Sequence, residues 1–136
     1  MIKKIVISLS VILSIVALYM LGSGFRRDTS AYIGEYSVSE DETMMNVEVG
    51  VGSSIGAIRK VVINHETDGV MCLDLYSAFG GLNGSIGAKS SYQIPVSEDT
   101  HTICVYQGNG RYESVLVKDE NGNWVRLDFD ERKEYN

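Results

Sequence analysis

Two hydrophobic periodicities divide the chain. From Ile5 to Leu21, seventeen residues carry no charge, and Ser8, Ser10 and Ser14 are the polar side chains among them. As a helix rising ~1.5 Å per residue, this run spans roughly 26 Å, slightly short of a ~30 Å hydrocarbon core. Gly22 to Phe25 can extend it, or the bilayer can thin. Beyond Arg27 the period becomes two. In Met45-Asn46-Val47-Glu48-Val49-Gly50-Val51 every second residue is apolar, and a strand places those residues on one face. Met71, Leu73, Leu75 and Phe79 repeat the pattern, with Ser77 as the exception. Val125, Leu127 and Phe129 do so again, which points Trp124, Arg126 and Asp128 outward. Polar clusters such as Ser97-Glu98-Asp99, Gly108-Asn109-Gly110 and Glu120-Asn121-Gly122-Asn123 recur about every eight to twelve residues. The pattern predicts an all-β fold, a two-sheet antiparallel sandwich of about seven or eight strands, preceded by one N-terminal transmembrane helix. Asn121-Gly122 is expected to form a tight hairpin between strands ending near Lys118 and beginning near Trp124.

The apolar run sets the organisation: residues 1–24 form a membrane anchor or signal sequence, and residues 25–136 form one extracytoplasmic domain. Lys3 and Lys4 before the run fit an uncleaved anchor with its N-terminus inside. They also fit a secretory signal, with Gly22-Ser23-Gly24 supplying small residues for a cut after Gly24. A third alternative is a buried globular helix. Glycine stands where a lipoprotein needs its modified cysteine, so lipid attachment there is excluded. Arg26 and Arg27 nearly balance the two lysines, and the short N-terminal flank favours an anchor that carries the remaining 112 of 136 residues across the membrane.

Charge narrows the partners. Beyond Gly24 ten basic and eighteen acidic residues leave −8, and the longest basic runs are the pairs Arg26-Arg27, Arg59-Lys60 and Arg132-Lys133. Phosphate backbones need clustered cations, so nucleic acid is not expected.

Gly50-x-Gly52-x-x-x-Gly56 after a valine-rich segment mimics a dinucleotide-binding turn, with Asp74 downstream as a ribose ligand. The commonest fingerprint has two residues between its second and third glycines, where this chain has three. Ile58-Arg59-Lys60-Val61-Val62-Ile63 is also rich in β-branched residues, which favour a strand over the required helix. The reading is strand, bend, strand, with no nucleotide and no cofactor. Phe79 to Lys89 holds four glycines in eleven residues and breaks the strand pattern longest. It serves either as a crossover between sheets or as a ligand-facing loop. In the second case Asn83 and Ser85 supply polar contacts, and Tyr76 and Tyr92, on the outward phase of adjoining strands, offer flat rims to a sugar ring or an extended peptide. The rival view is that both tyrosines simply cover the sheet. Asn83-Gly84-Ser85 also matches a glycosylation acceptor.

No catalytic residues are assigned. His65 and His101 read as solvated turn residues; H-E-x-x-H does not occur, and Gly52-Ser53-Ser54-Ile55-Gly56, which has the G-x-S-x-G spacing, falls within the strand-bend-strand reading. His65, Glu66 and Asp68 lack a third spaced ligand, so no metal site is expected. Asp119 to Asn123 departs from a calcium loop in the place of its glycine and in lacking the closing glutamate. Cys72 and Cys104, with 31 residues between them, both fall on the outward phase of their strands. In neighbouring strands and an oxidising compartment they would form a disulfide worth roughly 3 to 4 kcal/mol. The alternative is two separate, partly buried thiols.

Gly34-Glu35-Tyr36, Gly52-Ser53-Ser54-Ile55-Gly56-Ala57-Ile58-Arg59, and Tyr76-Ser77-Ala78-Phe79-Gly80-Gly81-Leu82-Asn83 through Gly87-Ala88-Lys89 carry a resemblance. With the closing Lys118-Asp119-Glu120-Asn121-Gly122-Asn123-Trp124, the chain resembles a group of small, uncharacterised membrane-anchored bacterial proteins over most of its length. The resemblance implies an anchored, mostly β domain and no activity, and the cysteines are not part of it.

These observations lead to a membrane-anchored binding or structural interaction module outside the cytoplasm. Ile5 to Leu21 would engage the lipid bilayer, and a surface polymer or a protein would be the partner. The alternatives are a small cell-surface hydrolase, which needs converging histidine or carboxylate groups, and an accessory subunit of a membrane complex.

Overall fold

A computed structural model of the chain describes residues 1–24, 27–52, 56–79 and 89–136, without the side chains of 19–24, 56, 78 and 79. Among the described residues one helix, α1 (Ile2–Gly24), precedes nine strands. The strands are β1 (Ala31–Val38), β2 (Met44–Val51), β3 (Gly56–Thr67), β4 (Val70–Phe79), β5 (Ser91–Pro95), β6 (Thr102–Gly108), β7 (Arg111–Lys118), β8 (Trp124–Arg126) and β9 (Glu134–Tyr135). The domain is therefore mostly β, as its period-two patterning predicts. Among the described residues no helix is long and apolar enough to cross a membrane.

The strands form a small sheet, β1-β2-β5, and a large one, β3-β4-β6-β7-β8, with β9 also paired to β7. Between them lies one core. Ile33, Met45, Val47 and Ile94 enter it from the small sheet, and Met71, Leu73, Leu75, Ile103 and Leu116 from the large sheet. The alternation in β2 is realised: Met45, Val47 and Val49 are buried while Glu48 is exposed. Gly56 begins a strand of twelve residues, so no helix follows the glycines at 50 and 52.

Side-chain bonds close both open sides of the sandwich. On one side, Arg126 donates from Nη1 to the Ile33 carbonyl at 2.6 Å and from Nη2 to the Gly34 carbonyl, and the Tyr36 hydroxyl donates to the Trp124 carbonyl at 2.9 Å. On the other, the Tyr92 hydroxyl donates to the Ile58 carbonyl at 2.6 Å, beside a 3.1 Å bond from the Lys89 amide to the same oxygen.

Two expectations are corrected. The sandwich is not wholly antiparallel, because β4 and β6 pair in parallel, Val70 with Thr102 through Leu73 with Val105. Between them the chain crosses to the small sheet and runs back as β5, so it re-enters the large sheet in its original direction. The face assignment in β8 is also reversed. The hairpin pairs Lys118 with Trp124 and Val117 with Val125, so Trp124 packs on the core and Val125 faces outward. Phe129 is 81 % exposed in a short 3-10 turn.

The hairpins follow their turn chemistry. Asp68-Gly69 and Asn109-Gly110 join their strands with both residues at positive φ, the conformation of two-residue hairpin loops. The 119–123 turn connects β7 to β8 where the sequence places it. The Asp119 carboxylate accepts the amides of Asn121 and Asn123, both at 2.9 Å, and Gly122 has φ +80°.

Candidate functional site

The outward phase of the large sheet is not bare. Cys72 and Asp74 on β4, Cys104 and Tyr106 on β6, and Tyr112 on β7 lie on the face opposite the main core, and all five are buried. Alternation puts them there; what covers them is supplied from elsewhere in the chain. Tyr135 of β9 and Val70 pack against the cysteines and tyrosines, forming a second, smaller core.

Within this face Asp74 is the centre of a polar network. It is 2 % exposed and accepts hydrogen bonds from the Tyr112 hydroxyl and the Asn64 side-chain amide, each at 2.8 Å. Arg27 approaches its carboxylate to 3.6 Å, and the guanidinium lies 4.1 Å from the centroid of the Tyr106 ring. Asn64 in turn accepts from His65 Nδ1 at 2.9 Å, and the His65 ring meets Tyr112 edge-on. A buried carboxylate with this many donors is stabilised in place. Burial first, then the hydrogen bond to Asp74 and its charge, push the Tyr112 phenol up to about 12.

The cysteines sit beside this network. Cys72 and Cys104 are register partners across the parallel pair, which meets the adjacency a disulfide requires, and both are free thiols. Burial raises the titration of each. A thiol held protonated in an apolar layer is a poor nucleophile. Next to Cys72, an open groove of about 540 Å³ is lined by His65, Thr67, Asp68, Val70, Tyr135 and Asn136.

The structure separates the residues expected to share a ligand rim. Tyr76 lies on the same outward face, half-buried near Arg27, which bridges to its backbone. Tyr92 belongs to the other sheet and to the opposite phase: it packs against the main core and its hydroxyl is committed to Ile58. The two strands do not adjoin, because the connection between them changes sheets, so the paired tyrosine rim is withdrawn. Asn83 and Ser85 lie outside the described residues. His101 is held by Thr102 Oγ1 and by the Asp68 carbonyl, each at 2.9 Å, and does not reach His65's network. Among the described residues no group of three His, Cys, Asp or Glu is placed to hold a metal ion.

Sequence reasoning missed the partners of Asp74. The available signal was an acid on the outward phase of a strand otherwise apolar from Val70 to Leu75, which implies a covered face with a charge to satisfy. Comparisons with known protein families, with curated proteins and with solved structures find no match.

Proposed function

We propose that this chain is a membrane-anchored binding or structural interaction module, with α1 in the bilayer and the β domain on its outer side. The observation that carries the reading is the surface of α1. Ten large apolar side chains from Ile5 to Leu18 are each between 47 and 70 % exposed, around the whole circumference of the helix. The domain buries none of them. Removing such side chains from water is worth about 1.5–3 kcal/mol each, a driving force that a bilayer supplies and solvent does not. The described side chains of α1 end at Leu18, and the sequence continues the apolar run through Leu21. At 23 residues the helix is roughly 34 Å long, and its uncharged run from Ile5 to Leu21 covers roughly 26 Å of a ~30 Å hydrocarbon layer.

The expected result is that the full chain stays with membranes through alkaline carbonate washing and is digested by protease added outside intact cells. Recovery in the wash would remove the spanning helix, and full protection would place the domain inside. The interaction role is supported by a rigid two-core scaffold whose titratable groups are engaged with one another, with an open groove beside them. Its test is capture with the native anchor intact: a stable protein or surface-polymer partner supports it, and turnover of the polymer overturns it in favour of hydrolysis.

A further inference from the structure

The charges of the domain are segregated along its strands. β4 and β6 run in parallel away from the hairpin at Asp68-Gly69, and β1 starts near Gly108 at their far end, where Thr29 touches that glycine. The strand registers therefore assign the hairpin turns among the described residues to one of two poles. At the pole remote from α1 lie the turns 39–43, 66–69, 97–100 and 119–123, tied together by bonds such as Val96 N to Thr43 O, His101 N to Gly69 O and Lys118 N to His101 O. They carry nine of the eighteen acidic residues of the chain. The basic residue bordering them is Lys118, whose Nζ is held by the carbonyls of Ser97 and Glu98.

The other pole is where α1 joins the domain. Asp28 N bonds to Leu75 O, and Arg27 bridges to Tyr76. Lys60 is the register partner of Tyr76, and the Lys89 amide is bonded to Ile58 beside it. Lys60 and Lys89 are both exposed. Arg111 follows the hairpin at this end and pairs with Glu134 at 3.0 Å, while Asp28 is occupied by the amide and hydroxyl of Ser30. Arg27, Lys60, Lys89 and Arg111 thus lie towards the end from which the apolar helix leaves, alongside the carboxylates of Asp28, Glu134 and the exposed Glu48, register partner of Ser91, while Lys118 borders the other pole.

We propose that this basic pole seats on the anionic headgroups of the bilayer that holds α1, through Lys60 and Lys89, so that the strands stand along the membrane normal. The acidic turns then project away from the lipid. The inference rests on the membrane-anchor reading. Cations near an anionic leaflet are attracted and carboxylates repelled, so both poles turn the domain the same way.

The test uses the full chain in lipid nanodiscs that carry a headgroup-attached quencher. A fluorophore is placed at Ser90→Cys, near the basic pole, or at Asn121→Cys, in the acidic turns. In phosphatidylglycerol-containing discs the Ser90 probe should be quenched about fivefold more than the Asn121 probe. The difference should shrink at about 0.5 M NaCl, where the Debye length is roughly 4 Å, and in purely zwitterionic discs. Lys60→Gln with Lys89→Gln should shrink it likewise, with circular dichroism unchanged. Incorporation into the discs with a quenching ratio indifferent to lipid charge and salt overturns the seating and leaves the anchor standing. Failure to incorporate overturns both.

Discussion

Asp74 shows how a single residue organises a face. Its carboxylate holds Arg27, Asn64 and Tyr112, three side chains from the linker, β3 and β7, so it ties the end of the anchor to the large sheet. Truncating one donor leaves a buried acceptor short, and Tyr112→Phe should cost about 1.5–3 kcal/mol in denaturant unfolding. The Tyr112 phenol, pushed up to about 12, titrates above its unfolded value near 10. Its neutral form is the one the fold favours. The resulting stability is present in full below pH ~10 and is lost as the pH rises through about 12. A difference titration of phenolate absorbance against Tyr112→Phe should show this buried residue titrating after the exposed tyrosines, and Asp74→Asn should bring it down. The two cysteines make a second prediction at this scale. Because burial raises both thiols, Cys72 and Cys104 should resist alkylation at neutral pH in the folded protein and react on unfolding. Rapid modification of either in the native state would show that Tyr135 does not cover them. The sequence identifies both as outward in phase, yet their burial depends on β9, which starts 30 residues beyond Cys104 and 62 beyond Cys72, and alternation does not report it.

At the scale of elements, turns and strand faces are legible to different degrees. The pattern in β2 and in β4 identifies the core residues because each is a central strand of its sheet with one face on the main core. The 119–123 turn is legible because Asp119, Asn121 and Gly122 use local side-chain and backbone chemistry. The face of β8 is not, since three paired residues give too short a period and the hairpin register decides it. Nor is the parallel pairing of β4 with β6, which depends on β5 joining the other sheet. Glycines at positive φ allow these ideas to be measured. Gly110 and Gly122 have open space where a Cβ would stand, so Gly110→Ala and Gly122→Ala should each cost about 1 kcal/mol, the conformational term alone. At Gly69 a Cβ would also collide with the Asp99 carbonyl and the His101 ring. Gly69→Ala should therefore destabilise by about 1–3 kcal/mol more than either, in chemical denaturation. Equal losses at all three positions would mean that the close approach of the 97–101 turn to the β3–β4 hairpin contributes nothing.

For the whole molecule, the decisive feature is where the buried side chains come from. The main core runs from Ala31 to Leu116 and the second core draws on Val70 to Tyr135, and neither includes a described side chain of α1. The helix approaches β4 but contributes no buried side chain among the described residues. A boundary after Gly24 remains our proposal, supported by the exposure of the described α1 side chains. Arg27 and Asp28, which hold the first connection to the sheet, lie on the domain side of it. Residues 25–136 should consequently fold without residues 1–24, and their stability should be set by the same contacts. The expected result is a β-rich far-UV circular dichroism spectrum, a single cooperative thermal transition, and a Tm within about 4 °C of the full chain in detergent, since a difference of about 1 kcal/mol moves Tm by that amount in a domain of this size. The truncated domain should also purify without detergent, while the full chain, with ten large apolar side chains displayed along α1, should not. A truncated domain that unfolds or melts far lower would show that α1 packs against the sheets in a way its exposed surface contradicts.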